Sequence, residues 1–371
     1  MNHFSSESTT QTLSPLRSSS FIPYMFFAAF KHRIRLWAQA SALLFLLCQV
    51  AVPASSAWSR QSSGTFAWLH AVYFLDEDRG WAGGGNGALV ATRDGGKSWT
   101  AMRRPTEDAL RDLYFADERQ GWLVCERSIY LLKEKDEPHT YLMRTTDGGA
   151  TWQRVNVTNK DADARLVRAL FTTQGRGWAF GEAGALYTTR DGGGTWVRQR
   201  VPTQHLLLGG AFLNADEGWL VGAGATVLQT VDGGETWRAG NVVQGLRSMR
   251  FTAVSFVDRL RGWAVGMEGR VFATTDGGRN WRAQTSNVRA DLYDVKFLDA
   301  REGWAVGAEG TVIHTMDGGQ RWSVVPSETT HPLERLFFVN RERGWAVGFG
   351  GTIISYAPTS VPRAPELKSR S

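Results

Sequence analysis

The chain has 371 residues, a formal net charge of +6 and two cysteines. Of this charge, +3 lies in residues 1–57 and +2 in residues 357–371, which leaves only +1 for residues 58–356. A central region this close to neutrality does not indicate nucleic-acid binding by bulk charge. The histidines are dispersed and the cysteines are not paired at metal-ligand spacing, so no metal site or other cofactor is expected.

The first predicted element is an export signal. A basic cluster at residues 31–35 precedes the apolar run LWAQASALLFLLCQVAV at 36–52, and small residues follow that suit cleavage after Ala54 or Ala57. The run is short for a membrane span. Residues 1–57 are therefore predicted to be a signal or targeting segment that is cleaved, with an uncleaved anchor as the alternative.

The two cysteines carry little chemistry. Cys48 follows Leu47, whereas a lipoprotein signal requires a small residue at that position, so the sequence does not indicate lipidation. Cys125 is the one cysteine that remains after cleavage, and no internal disulfide is then possible. We expect it to be an inert thiol buried in the fold.

A repeat follows the signal. The motif GWAVG occurs three times, and looser copies bring the number to seven, with tryptophans at 81, 122, 178, 219, 263, 304 and 345. Each tryptophan is preceded at seven residues by a phenylalanine, and six copies continue into T-x-D-G-G-x-x-W. The usual separation is 41 residues, the length of one four-stranded propeller blade.

Each copy reads as four short strands separated by Gly, Asp and Asn turns, and no stretch shows a sustained helical period. The seventh copy ends at Tyr356, before its fourth strand. The segment WSRQ at 58–61 resembles the fourth-strand openings WVRQ and WRAQ of other copies. The sequence therefore predicts an all-β, seven-bladed β-propeller over residues 58–356, with the ring closed by an N-terminal strand that completes the last blade. The Pro- and Ser-rich tail, residues 357–371, is predicted to be disordered.

The segments that connect blades three to five are basic. In a propeller these connections lie on the same face of the disc as the second turn of each blade. Six arginines fall on or next to them: Arg165, Arg168, Arg198, Arg200, Arg247 and Arg250. They are predicted to form a partner-binding surface; the alternative is that some only extend along the rim. Blade two also carries twelve extra residues around 133–140, which are expected to lengthen a surface hairpin.

The T-x-D-G-G-x-x-W run resembles the Asp-box of sialidases and other glycoside hydrolases, where it is a structural hairpin. Glycoside hydrolysis requires two carboxylates about 5 to 10 Å apart. In this sequence nearly all acidic residues occupy the repeated turns, so no catalytic residue is assigned and the protein is not expected to be an enzyme. The alternative is an exported Asp-box propeller that binds or hydrolyses glycans.

The seven GWAVG-type strands, the DGG-x-x-W hairpins, the export signal and the arginine-rich sector together resemble the photosystem II stability/assembly factor family. The resemblance covers about residues 58–356. It implies a monomeric, non-enzymatic factor, peripheral to the membrane on the lumenal or periplasmic side. Such a factor binds a membrane-protein client, the photosystem II reaction-centre protein, through an arginine patch. In a host without photosystem II, the client would be another envelope protein.

Overall fold

The strands form seven sheets in the computed structural model, which describes residues 57–128, 138–155, 164–172, 175–243 and 248–358. The predicted signal segment lies outside the described residues except for Ala57, and so does all of the predicted tail beyond residue 358. The described residues contain strands and short 3-10 turns. No helix among them has the length and apolar character needed to cross a bilayer.

Each sheet is one blade, and its strands follow one another antiparallel from the centre of the disc outwards. Blade one consists of Leu69–Phe74, Gly80–Gly84, Leu89–Thr92 and Thr100–Ala101. Blade two consists of Ala109–Phe115, Gly121–Glu126, Thr140–Thr145 and Gln153–Val155. Blade three consists of Leu166–Phe171, Gly177–Gly181, Leu186–Thr189 and Val197–Arg198. Blade four consists of Leu207–Phe212, Gly218–Gly222, Val227–Thr230 and Arg238–Ala239.

The remaining blades follow the same order. Blade five consists of Phe251–Phe256, Gly262–Gly266, Val271–Thr274 and Asn280–Gln284, with Asn241–Val242 added in parallel at its outer edge. Blade six consists of Leu292–Phe297, Gly303–Gly307, Val312–Thr315 and Ser323–Val324. Blade seven consists of Leu333–Phe338, Gly344–Gly348, Ile353–Tyr356 and, as its fourth strand, Trp58–Gln61.

The ring is closed by the N-terminal strand, which confirms the prediction. Trp58 lies opposite Tyr356 and Gln61 opposite Ile353 in an antiparallel ladder. Beside this ladder the amide of Ala357 donates to the carbonyl of Ala57 over 2.9 Å, so the two ends of the disc lie side by side. Because the last blade is completed by the first residues of the domain, the strand Ile353–Tyr356 is paired on both sides and blade seven has four strands like the others.

The repeated tryptophans join neighbouring blades. The Trp of each GW motif lies against the Phe of the next blade, with ring centroids 3.5 to 4.6 Å apart in six of the seven pairs. The series closes on itself, because Trp345 of blade seven stacks on Phe74 of blade one at 3.5 Å. Each such aromatic pair contributes about 0.5–1.5 kcal/mol beyond its buried area. The repeated tryptophans therefore pack neighbouring blades together.

The glycine before each tryptophan has a different role from the one that its sequence context suggests. The sequence favours a sharp turn at this glycine, yet it is the first residue of a strand. A Cβ atom at Gly303 would lie 2.5 Å from the ring of Phe297 in the same blade, and the other six GW glycines meet their own Phe in the same way. The missing side chain makes room for the ring on which the preceding blade's Trp stacks.

The six Asp-box hairpins are held by their own side chains. In blade one the hydroxyl of Thr92 accepts from the amide of Gly96 and donates to Asp94, which in turn accepts from the amide of Ser98. The hydrogen bond from the Ser98 hydroxyl is the main reason that the pKa of Asp94 is lowered to about 2. Gly95 and Gly96 have φ values of 71° and 85°, as the tight turn requires. These aspartates stabilise turns.

The disc has two chemically distinct faces. First and third turns share one of them, since the amide of Gly95 donates to the carbonyl of Asp78. Second turns and blade-to-blade segments share the other, since the amide of Gly85 donates to the carbonyl of Trp68. We call them the turn face and the connection face. The two ends of the domain meet on the turn face, where blade seven has the chain ends in place of a third turn.

Candidate partner-binding face

The inner rim of the connection face is built from two repeated positions. The first lies six residues before each blade's Phe, and the second opens each second turn. In blades one and three to seven the second residue donates its amide to the carbonyl of the first, as Glu182 does to Arg165 over 2.8 Å. The backbone at the rim is therefore alike in these six blades, which differ there in their side chains.

Arg165 lies in a row of charged side chains along this rim. It donates to Glu126 over 2.9 Å, and Glu126 also accepts from Arg111. The row continues from Arg111 to the ring of His70, whose other nitrogen lies 2.6 Å from Glu334. Four blades are linked in this way, and the charge of Arg165 is largely balanced by acidic neighbours.

The insertion in blade two contributes to this row. Its second and third strands, Gly121–Glu126 and Thr140–Thr145, have six residues each, whereas the corresponding strands of blade three have five and four. The extra residues therefore extend the second hairpin, as expected, and the hairpin belongs to the connection face. Residues 129–137, which include most of the insert, lie outside the described residues.

Arg168 does not lie on the surface. It is only 7% exposed and extends into the centre of the disc, where Asp112 of blade two and Asp294 of blade six lie within 3.9 Å and 3.8 Å of its nitrogens. The same two carboxylates accept amide hydrogen bonds from Ala169 and Leu336 of the neighbouring blades. Arg168 thus balances two acids that tie innermost strands together, and it is no part of the exposed basic surface predicted from the sequence.

The other predicted arginines differ from these two. Arg198 ends the outer strand of blade three and Arg200 follows it, whereas Arg250 occupies the inner-rim position of blade five. All three are exposed, and none forms an ion pair with another described residue. Arg247 lies outside the described residues. The structure therefore separates the set into an unpaired group on blades three and five, the balanced Arg165, and the buried Arg168.

Sequence reasoning missed an aromatic group on the same face. Phe66, Trp68 and Phe349 are 96%, 41% and 45% exposed, and all three lie where blade seven meets blade one. Trp68 packs edge-on against Phe349 with centroids 5.2 Å apart, and its ring lies 5.6 Å from that of His70. We call these three residues the aromatic seam. An alignment of the seven repeats by their Phe would have revealed them.

The geometry offers little for catalysis. The Asp-box aspartates bind their own hairpins, and the acids near the axis bind Arg168 and backbone amides. Within the described ranges, no group of three or more His, Cys, Asp and Glu side chains is placed to hold a metal ion. Burial raises the pKa of the Cys125 thiol well above its ordinary value, so this cysteine is not an activated nucleophile.

The fold and this face define a class: a closed seven-bladed propeller with a chemically varied connection face. The model of the photosynthesis system II assembly factor YCF48 family matches residues 99–204, 194–289 and 282–357. The chain belongs to this family, as the sequence resemblance indicated.

Individual relatives agree with the assignment. The Photosystem II assembly lipoprotein Ycf48 of Synechococcus sp. (strain CC9902) is 29% identical over 152 residues, which is 40% of this chain. The match spans 41% of the length of that protein.

Solved structures show the fold. YCF48 from Cyanidioschyzon merolae has a TM-score of 0.67 and 21% identity, covering 82% of this chain and 100% of that one. A YCF48 bound to D1 peptide has a TM-score of 0.66 and 20% identity, covering 82% and 97%. The GH74 xyloglucanase of Xanthomonas campestris has a TM-score of 0.62 and 13% identity, covering 81% and 54%. The last of these shows that the fold alone does not separate binding proteins from enzymes.

Proposed function

We propose that this protein is a non-enzymatic assembly factor that binds a segment of a membrane-protein client on its connection face. The client is the photosystem II reaction-centre protein by relationship, or another envelope protein in a host without photosystem II. One observation carries the proposal: Arg198, Arg200 and Arg250 are exposed on blades three and five without an ion pair to another described residue. The bound D1 peptide in a related propeller supports this choice of client.

The mechanism is recognition without chemistry. A guanidinium group presents several donors in a plane and binds carboxylates in pairs of parallel hydrogen bonds. Arginines without an ion pair can form this interaction with a client, whereas Arg165 already donates a hydrogen bond to Glu126. The stacked Trp and Phe residues join neighbouring blades, so the blades have fixed positions relative to one another before the client binds.

The proposed location is outside the cytoplasm, in the periplasm or the thylakoid lumen, with the protein monomeric and peripheral to the membrane. The description of the Synechococcus relative as a lipoprotein supports export. For this chain we propose a signal cleaved after Ala54 or Ala57 in place of a lipid on Cys48. Intact-mass measurement of the protein purified from its host tests this, because cleavage, an uncleaved anchor and a lipidated cysteine give three different masses.

The binding proposal is tested with short overlapping peptides that tile the D1 sequence. The test variant reverses the charge of Arg198, Arg200 and Arg250 to Glu. The matched control reverses three exposed arginines on the turn face, namely Arg93, Arg119 and Arg301. Both variants change the net charge equally, so long-range attraction is altered alike.

We expect at least one D1 peptide to bind the wild-type protein, and the test variant to bind it about tenfold more weakly or worse than the control. The affinity should also fall as the salt concentration rises. Equal weakening by both variants would exclude the predicted surface, and binding of no D1 peptide would exclude this client. Turnover of fluorogenic glycosides by the wild-type protein would instead favour the glycan-active alternative.

A further inference from the structure

The three residues of the aromatic seam differ from the residues at the equivalent positions of the other blades. Phe66 lies eight residues before its blade's Phe, and every other blade has a polar residue there: Glu107, Asp163, Gln204, Ser248, Arg289 and Thr330. Trp68 and Phe349 occupy the two inner-rim positions, which in the other blades hold no aromatic residue. The fold can therefore be built without these three side chains, because six other blades do so.

Two of the three residues, Trp68 and Phe349, meet in space although 281 residues separate them in the chain, and Phe66 lies two residues before Trp68. Phe349 belongs to the second turn of blade seven, whereas Phe66 and Trp68 belong to the connection into blade one. Trp68 and Phe349 form a T-shaped pair, and His331 lies edge-on to Phe349 at 5.5 Å. Exposed aromatic side chains that cluster in this way, rimmed by polar groups, mark interaction sites.

The charged groups near the aromatic seam indicate which kind of ligand it would bind. On one side lies the pair His70 and Glu334, and from it the charged row leads to Arg165. Further around the rim is Arg250, an exposed cation without an ion pair to another described residue. An extended peptide with a bulky apolar side chain at one point and an acidic side chain farther along complements this arrangement in both polarity and charge.

We propose that the aromatic seam is a docking site for a large apolar side chain, aromatic or aliphatic, of an extended peptide segment. This inference rests on the proposed function and deepens it, because it assigns the site that selects an apolar residue of the client. The unpaired arginines then recognise its acidic part. Aromatic residues are the usual anchors of such interfaces, and removing one from a desolvated pocket often weakens binding more than tenfold.

A peptide fits the seam better than a lipid surface does. Phe66 is almost fully exposed, but Trp68 and Phe349 lie on the inner rim with about half of each side chain already packed. Insertion into a bilayer requires apolar groups that project from a convex surface together, usually with basic residues around them. Here the neighbouring His70, whose ring lies 5.6 Å from that of Trp68, is paired with the acid Glu334.

The test uses a repeat-matched variant, in which each seam residue is replaced by the residue of another blade: Phe66→Thr, Trp68→Ala and Phe349→Ala. A control variant, Val197→Ser and Val324→Ser, removes two exposed apolar side chains from outer strands. A phage-displayed library of random peptides is selected on the wild-type domain, with the repeat-matched variant as the counter-selection. The selected peptides are then synthesised, each also with its dominant apolar residue changed to Ser.

We expect the selected peptides to share an aromatic or large aliphatic residue and to bind the repeat-matched variant at least tenfold more weakly, on the order of a single lost anchor. The control variant should bind them like the wild type. In the repeat-matched variant the Ser-substituted peptide should bind as well as its parent, because the seam that distinguished them is gone.

Two results would overturn the inference. One is that no selected peptide distinguishes the wild type from the repeat-matched variant. The other is that this variant keeps its peptide binding but no longer sediments with phosphatidylcholine–phosphatidylglycerol vesicles, which would make the seam a membrane contact. Neither result depends on D1 peptides or on Arg198, Arg200 and Arg250, so the docking site and the proposed client are tested separately.

Discussion

Replacing Trp58 by Ala tests how the ring is closed. The Trp58 ring is 1% exposed and lies edge-on to Trp304 and Phe338, with centroids 5.6 Å and 5.9 Å away. In the other blades the closing Trp of the Asp-box contacts the same Phe edge-on, as Trp322 does with Phe297. The N-terminal strand thus supplies the residue that blade seven lacks.

The expected cost can be worked out from these contacts. Truncating a fully buried Trp to Ala costs about 3–5 kcal/mol. A domain with a free energy of unfolding of about 5–15 kcal/mol would lose about a fifth of it or more. Trp68→Ala removes the same side chain from a half-exposed site, where a surface substitution is expected to cost less than about 1 kcal/mol.

Urea unfolding followed by far-UV circular dichroism measures the loss of stability. Amide hydrogen exchange shows where the structure loosens, and we expect it to accelerate first in Ile353–Tyr356, the strand that pairs with Trp58–Gln61. The reasoning would be refuted if Trp58→Ala were no more destabilising than Trp68→Ala, with unchanged exchange in that strand.

Three further predictions concern the repeat and the axis. Gly303→Ala should destabilise the domain by about 1–3 kcal/mol in urea unfolding, because its Cβ would overlap a ring, whereas Gly85→Ala, with nothing closer than 3.9 Å, should be tolerated. Because the folded pKa of Asp94 lies below the unfolded value of about 3.9, its stabilisation is present above about pH 4. That stabilisation is lost as the pH falls towards 2. In Asp94→Asn the midpoint of urea unfolding should therefore depend less on pH between about 4 and 2 than in the wild type. The same pH dependence in both proteins would count against this role of Asp94. Arg168→Met should destabilise the domain by about 3 kcal/mol, because it removes a buried cation from between two buried carboxylates, whereas Arg198→Met should be nearly neutral. Equal costs would contradict the placement of Arg168 at the centre of the disc.

The architecture could be predicted from the sequence because the same pattern of strands and turns recurs in seven copies. The fixed spacing from Phe to Trp indicates the blade, and the incomplete seventh copy together with WSRQ at 58–61 indicates the closure. The reason for the GW glycine was not accessible in this way, because the ring that fills its space comes from the preceding strand of the same blade. A contact between strands is set by their register, which the spacing alone does not give.

The candidate site could be predicted only in part. Arg168 is the third residue of the first strand of blade three, and the register shift between Leu166 and Arg168 turns it towards the axis. An arginine count along the chain cannot distinguish it from Arg165, three residues earlier on the rim. The aromatic seam was missed because aromatic residues are so common in this chain. In a protein with sixteen tryptophans, each aromatic residue reads as packing until the blades are compared position by position.

The hydrogen bond between Ala357 and Ala57 has a practical consequence. Since the two ends of the domain are adjacent on the turn face, an Asp-Gly-Gly hairpin copied from another blade could join them. New ends could then be opened in any first turn, giving circular permutants with the same blades in a different order of synthesis. In each of them, a dye or a surface tether attached at the new ends would leave the opposite face open to a client.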